Sequence, residues 1–449
     1  MKTDLRNQHK EQLLVLSNEL RGNRQRLKVK KNTISNLFRY KGRQDKNARL
    51  VDLSHLNKPL YLDKKNKTLD VQGLTTYEDI VDFVLPHGLL PTITPELKHI
   101  TVGGVTVGIG IESNCYRYGF VHDGLLEADV LLASGEIVTC SSTNKYSDLF
   151  YGLANSYGSL GYILRAKIKL HTVSPYVQLT TNHYDDTKSL LKAIKLASQD
   201  PGIDYVESLV YTPHKQYLTT SKHVSRPTSL QSIYGGNIFY KAISKPDTFT
   251  LPTKEYIFRY DPEWFWNIPE TAPYKLFRKI APRSTRNSSF YTRYNNWVAK
   301  RSNHAERDIK DQSLEKFIQD WEVPWPQAQG LLDFALDNID MEWRPWLITI
   351  IKTPARATNY PMQKNALYMN LGAYSFAKKK PGKPAYQNTK LVDDYCFKHD
   401  GIKMLYSTTF LQEKEFNKIY NGQAYGKLKR KYDPQGLLPT LFEKTVKAF

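Results

Sequence analysis

Thr101-Val-Gly-Gly-Val-Thr-Val-Gly-Ile-Gly-Ile-Glu-Ser113 is the stretch that decides how this chain is read. Gly103, Gly104, Gly108 and Gly110 stand within eight residues. Glycine reaches φ > 0 and lets a ligand or a second backbone come close. Successive free N–H groups in such a turn, ahead of a helix N-terminus, form an anion site. The segment is entered from Pro95-Glu96-Leu97 and left through Tyr116-Arg-Tyr-Gly119. Its spacing is neither GxGxxG after a first strand nor GxxxxGK[ST], which argues against Rossmann and Walker readings. A different nucleotide cradle suits it better.

Outward from this segment the chain reads as short strands with few helices. Arg49–Leu53 is a strand, and Leu60–Leu62 pairs with Thr68–Gln72 around a polar turn. Thr75, with Glu78 three residues on, predicts a capping box and a helix to about Leu85, stopped by Pro86-His-Gly88. Leu126–Ala133 turns through Ser134-Gly135 into Glu136–Cys140, a hairpin. A helix begins at Ser147, breaks at Gly158-Ser-Leu-Gly161, and gives way to the alternating strand Ile163–Leu170.

From about Ser174 the character changes. Helices are expected at Thr187–Ser198, Ser313–Trp321, Gln327–Asn338 and Lys390–His399. Strands are expected at Tyr205–Thr212, Gln216–Ser221, Trp346–Lys352, Leu367–Leu371 and Gly401–Tyr406. Residues 222–310 are aromatic and punctuated by proline. The fold class is therefore α+β, with a second sheet covered by helices. The expected division is a basic, amphipathic segment at 1–30, a first domain at 31–174, a second at 175–405, and a helical segment at 406–449 returning to the first.

The 449 residues, 40% hydrophobic and 12% aromatic, suffice for two cores. Cys115, Cys140 and Cys396 form no CxxC and no zinc spacing, so no metal site is expected and a reduced cytoplasmic setting is the default. Net charge is +20, of which residues 1–50 contribute +10, and Lys427–Lys431 forms a second basic knot. Such patches favour anions, among them nucleotide phosphates and acidic lipids. Nothing resembles a nucleic-acid-binding motif, and none is expected as partner. No run of about 18 apolar residues exists to span a membrane, and residues 1–21 lack the marks of a signal peptide.

Taken together, Val51–Leu53, Val71–Gly73, the glycine segment, Ala128–Gly135, Asp148–Phe150 and Gly158–Ile163 resemble the FAD-binding module of the vanillyl-alcohol-oxidase-like (PCMH-type) flavoproteins. Within that superfamily the wording is most similar to the delta-24 sterol reductases. The likeness lies in Pro95–Leu97, Thr101–Ser113, Tyr118-Gly119, Gln319–Pro324, Leu371–Tyr374, Met404–Tyr406 and Glu415-Phe416. The resemblance implies a two-subdomain FAD-binding domain with an α+β cap domain. It implies that Pro95, Glu96 and Leu97 shape a loop before the flavin segment. That segment comprises Thr101, Val102, Gly103, Gly104, Val105, Thr106, Val107, Gly108, Ile109, Gly110, Ile111, Glu112 and Ser113, with backbone N–H groups on the pyrophosphate. Gly161 and Ile163 would line the adenine and ribose end. Many members carry a glycine-rich first phosphate loop, sometimes with a histidine bonded to the flavin. Here Ser35–Arg43 has one glycine and no His, and His55 and His99 fall elsewhere. Non-covalent FAD is expected, with Arg39, Lys41 and Arg43 either assisting the phosphates or forming a solvated basic loop.

The implied chemistry uses NADPH or NADH to reduce FAD, and reduces an isolated carbon–carbon double bond in a lipid side chain, first of all a sterol's. An unactivated alkene gives a hydride no electron sink, so an acid held in a dry pocket has to supply a proton. Glu112, Tyr118, Tyr374 and Tyr406 are the candidate donors. Glu112, beside Ile109 and Ile111, is either an acid with a raised pKa or a carboxylate satisfying backbone N–H groups. Arg344, between Trp343 and Trp346, is either a surface residue or a holder of substrate or nicotinamide phosphate. Three rival functions stay open: an FAD oxidase or dehydrogenase of an alcohol or sugar-like substrate, a reductase of an unsaturated fatty chain, and a basic binding protein with a vestigial flavin fold. Animal and plant members have an N-terminal membrane anchor, whereas this chain begins almost directly with the flavin module. A soluble protein, or one with peripheral membrane contact, is expected.

Overall fold

A computed structural model describes residues 4–33, 47–235, 238–267, 272–302, 313–380, 382, 384 and 386–446. The basic loop Ser35–Arg43, with Arg39, Lys41 and Arg43, lies outside the described residues. Two strands open the fold, β1 (Leu27–Lys30) and β2 (Arg49–Asp52), paired in parallel. A six-stranded sheet follows: β3 (Pro59–Asp63), β4 (Thr68–Gln72), β5 (Leu89–Pro91), β6 (Leu125–Leu131), β7 (Ile137–Ser141) and β8 (Tyr162–Thr172). Its order is β3-β4-β8-β6-β7, with β5 also on β8. The central strand β8 carries Arg165, which donates to Asp70 on β4 at 2.5 Å, to Asp129 on β6 at 2.6 Å, and to Glu127 on β6.

The second sheet has eight strands: β9 (Tyr176–Tyr184), β10 (Tyr205–Thr212), β11 (Lys215–Val224), β12 (Asp247–Pro252), β13 (Leu314–Pro324), β14 (Trp346–Lys352), β15 (Leu367–Lys378) and β16 (Ile402–Lys403). They run in the order β12-β9-β11-β10-β14-β15-β13-β16. One face is covered by the helices Thr187–Gln199, Ala328–Asn338 and Gln387–Lys398. Because successive strand side chains alternate in direction, the other face belongs to alternate residues. Trp346, Ile348 and Ile350 pack under the helices, and Leu347, Thr349 and Ile351 point the opposite way.

The helices Glu413–Ile419, Gly422–Tyr432 and Leu441–Thr445 close the chain. Leu428 packs at Gly152, and Tyr432 and Lys431 donate to Asp148 at 2.5 and 2.6 Å, on the helix Ser147–Gly152 that follows β7. None of the described helices is long and apolar enough to cross a membrane.

Several local expectations are corrected. Ser313–Trp321 is not a helix but most of β13, paired with β15 over its whole length and with β16 at one end. Glu315, Gln319, Asp320 and Glu322 are all buried there, so neither face is simply apolar and the strand period is masked. The N-cap of the helix Tyr77–Val84 is Thr76, whose hydroxyl accepts from the Asp79 N–H at 3.2 Å, because Thr75 is buried and its carbonyl is taken by the Val102 N–H. Gly401–Tyr406 keeps only Ile402–Lys403 as strand.

Candidate functional site

Of the thirteen residues Thr101–Ser113, six form a helix, Val102–Val107. Its leading N–H groups are not free. Val102 donates to the Thr75 carbonyl, Gly103 to the Gly73 carbonyl and Gly104 to the Thr101 hydroxyl. The free donors come later. Ile109, Gly110 and Ile111 leave the helix, and their N–H groups make no hydrogen bond among the described residues. Three successive unpaired N–H groups on a cavity wall are the observation that fits an anionic group such as a pyrophosphate. Within the segment expected to cradle an anion, the free donors thus stand toward its end.

That cavity, ≈ 250 Å³, lies between the glycine segment and the open face of the second sheet. Pro95, Glu96, Leu97, Thr101, Gly104, Val105, Gly108, Ile109, Gly110, Ile111, Glu112 and Ser113 line it from the first sheet's side. Glu207, Asp320, Leu347, Thr349, Asn370 and Tyr374 line it from the second, with Phe265, Met404 and Tyr406. Register explains this convergence. Glu207 pairs with Thr349, and Thr349 with Asn370, in one row across β10, β14 and β15. Gly372 stands opposite Asp320, where an added Cβ would lie 2.7 Å from the carboxylate.

Two buried polar systems meet in the cavity. In the first, Arg259 is fully enclosed and bridges Glu96 at 2.6 Å and Glu207 at 3.0 Å, and donates to the Ser113 hydroxyl at 3.2 Å. Tyr260 donates to Glu207 at 2.9 Å, and the Glu96 N–H donates to Glu112 at 2.9 Å. Two carboxyls, Glu96 and Glu207, therefore share one guanidinium, and the Glu112 carboxyl stands beside them on the Glu96 N–H. Burial, reinforced by the Glu96 charge, pushes the Glu112 carboxyl well above the usual range, and burial pushes Glu96 up to about 7 against the pull of Arg259. In the second system, Asp320 accepts from Tyr406 at 2.5 Å, Asn370 at 2.8 Å and Tyr374 at 2.9 Å. Burial lifts Asp320 to about 6 in spite of these donors. The Thr349 hydroxyl and the Asn370 side-chain amide oxygen, also on the wall, are buried with no hydrogen-bond partner among the described residues, an opening for a ligand.

The other expected residues lie elsewhere. Val102, Gly103, Thr106 and Val107 sit in the helix behind the wall, and Gly103 abuts Gly73 and Ile163. Gly161 closes on Val130 and Leu131, also away from the cavity. Tyr118 stands at His171, 3.4 Å away. Arg344 pairs with Glu342 at 3.3 Å and lies over Trp343. Neither Tyr118 nor Arg344 lines the cavity, whereas Glu112, Tyr374 and Tyr406 do. Lys31, Glu207, Arg259 and Asp320 are contributions not among the expected site residues; Glu207, Arg259 and Asp320 stand far along the chain from the glycine segment and meet it only in the fold. Cys115, Cys140 and Cys396 are buried free thiols, and the Glu112 N–H points at the Cys115 sulfur, 3.1 Å away. Among the described residues no cluster of His, Cys, Asp and Glu is placed to hold a metal.

Residues 13–141 match the family model described as an FAD binding domain. With this domain, the chain has an α+β fold that fits the PCMH-type FAD-binding proteins. It is related along most of its length to the delta(24)-sterol reductases. It is 24% identical to the Delta(24)-sterol reductase of Homo sapiens over 408 residues, covering 87% of this chain and 76% of the relative. The Arabidopsis thaliana Delta(24)-sterol reductase is 24% identical over 451 residues, 88% of this chain and 76% of that one. Cytokinin dehydrogenase 7 of Oryza sativa subsp. japonica is 33% identical over 146 residues, 32% of this chain and 28% of its own.

Proposed function

We propose that this protein is an FAD-dependent oxidoreductase that reduces an isolated carbon–carbon double bond in a lipid side chain, the delta-24 bond of a sterol first of all, with NADPH or NADH as hydride source. The observation that carries the reading is a buried acid held well above the usual carboxylate range, Glu112, in a cavity walled by Ile109, Ile111, Leu347, Phe265 and Met404, where three successive backbone N–H groups have no hydrogen-bond partner among the described residues. The likeness to sterol reductases along the chain agrees with it.

FAD, once bound and reduced by the nicotinamide, would supply the hydride. The N–H groups of Ile109, Gly110 and Ile111 would hold its pyrophosphate, Gly108 would let it approach, and Lys31 on the cavity wall would add positive charge. No covalent tether is proposed. Glu112 keeps its proton on a carboxyl oxygen because ionisation beside Glu96 and Glu207 in a dry wall is unfavourable. Arg259 fixes Glu96, and through the Glu96 N–H it fixes the Glu112 carboxyl. Asp320 orients the Tyr374 and Tyr406 hydroxyls. The apolar lining excludes water, so that the acid's proton goes to the substrate carbon and not to solvent. Residues 31–174 would hold the cofactor and 175–405 would cover the substrate.

The test is anaerobic. The purified protein should be yellow and lose its flavin absorbance with NADPH or NADH, but not with alcohols or sugars. Desmosterol should then restore the colour and gain two hydrogens by mass. A flavin bleached by a hydroxylated substrate and inert to both nicotinamides would make the protein an oxidase or dehydrogenase instead. A competent flavin that leaves desmosterol unchanged would redirect the search to unsaturated fatty chains.

A further inference from the structure

Two helices stand apart from the cavity chemistry. In Ala272–Ile280, Leu276 and Ile280 are four residues apart and 59% and 73% exposed. In Ser288–Ser302, Phe290, Tyr294 and Trp297 recur at i, i+4 and i+7, and all three are exposed. This spacing puts each set on one helix face. The helices are joined by stacking of Phe277 on Phe290 and by the Tyr274 and Tyr291 hydroxyls, 3.4 Å apart.

Charge completes the pattern. From Ala272 to Ser302 the sequence holds eight Lys or Arg and no Asp or Glu. Lys275, Lys279 and Arg293 are exposed among the apolar side chains. An exposed set of Leu, Ile, Phe, Tyr and Trp bordered by cations is the composition of a face that lies in a lipid headgroup layer. Aliphatic Leu276 and Ile280 offer nothing to a nucleic acid. A two-fold contact with a second copy would bring like charges face to face. Aromatic rings with polar edges, by contrast, prefer the membrane–water boundary, and Lys and Arg are drawn to acidic lipids.

The location gives this face a purpose. The second helix starts at the cavity: Ser289 lines the cavity wall, and Ser288 donates to Asp261 at 2.7 Å. Phe265, also on the wall, lies on the same stretch of chain. We propose that the helix pair Ala272–Ile280 and Ser288–Ser302 docks the protein on the surface of an anionic bilayer, with the cavity wall beside the lipid. The docking rests on the exposed face itself and gives the lipid-reductase reading a route for its substrate.

The test uses the full-length flavin-loaded protein without sterol or nicotinamide, so its failure leaves the catalytic reading untouched. Vesicles of phosphatidylcholine alone and with about one third phosphatidylserine are sedimented with the protein at low and high salt. Binding should need the anionic lipid, weaken with salt, and fall about tenfold or more in Ile280→Asn/Tyr294→Ser. Brominated lipid should quench tryptophan fluorescence in the native chain and much less in Trp297→Phe. Lys275→Gln/Lys279→Gln/Arg293→Gln, which spares the apolar face, should also weaken binding. Retained flavin absorbance certifies each variant's fold. Absence of anionic-vesicle binding overturns the proposal. So does binding that none of these variants changes, and so does a dimer formed without lipid that Ile280→Asn/Tyr294→Ser dissociates.

Discussion

Gly103, Gly104 and Gly110 make room for the protein, whereas Gly108 makes room for a ligand. A Cβ on Gly103 would lie 2.8 Å from the Gly73 carbonyl, and one on Gly110 would meet Val121 and Val105 at 2.5 and 2.6 Å. A Cβ on Gly108 finds nothing closer than 3.4 Å and stands on the cavity wall. Gly103→Ala should therefore destabilise the apoprotein by about 1–3 kcal/mol, read as a lowered denaturant midpoint. Gly108→Ala should leave that midpoint within about 0.5 kcal/mol yet cut flavin retention on dilution. Glu112 makes a second prediction at this scale. Only its protonated form can donate, so alkene-dependent reoxidation should hold at low pH and fall as pH rises past its elevated pKa. Glu112→Gln should lower that step about hundredfold in single turnover, flatten its pH profile, and leave reduction of the flavin by nicotinamide unchanged.

Among the elements, the ladder β4-β8-β6 depends on one guanidinium. Arg165 is about one-eighth exposed, and Asp70 and Asp129 less so. Burial works against ionising Asp129, yet hydrogen bonds from His9, Arg165 and Thr139, with the Arg165 charge, hold its carboxyl below the usual carboxylate range. A depressed carboxyl stabilises the fold above its unfolded pKa and loses that contribution as pH falls. Arg165→Met should cost about 3–5 kcal/mol at pH 7, since it leaves buried carboxylates unpaired. The loss should shrink on acidification as those carboxylates protonate, which thermal unfolding from pH 7 down to pH 3 would register. The same scale explains what the sequence concealed. Strand β13 carries polar residues toward the cavity and toward the helices, so its two-residue period was hidden and it read as helix. Strands β6, β8 and β14, with plain apolar faces, were legible.

For the whole molecule, the cavity has one wall on each sheet, so a ligand there ties the two together. Adding FAD to apoprotein at about one hundred times its Kd should raise stability by about 2.7 kcal/mol. Calorimetry should record one shifted transition; two transitions of which only one moves would mean that the sheets do not share the ligand. The sequence by itself determined the α+β class and the hairpins, and marked the glycine segment as a candidate nucleotide site and Glu112 as a candidate acid, because each is written in neighbouring residues as turn chemistry, period or motif. Tertiary structure alone decided which N–H groups of that segment are free, since their competitors, the Thr75 and Gly73 carbonyls, stand about thirty residues earlier. It also decided that Arg259, Glu207 and Glu96 surround Glu112, that Asp320 gathers Asn370, Tyr374 and Tyr406, and that Arg344 and Tyr118 stand outside. Burial, and with it the protonation of a carboxyl, depends on what packs around the group from distant parts of the chain.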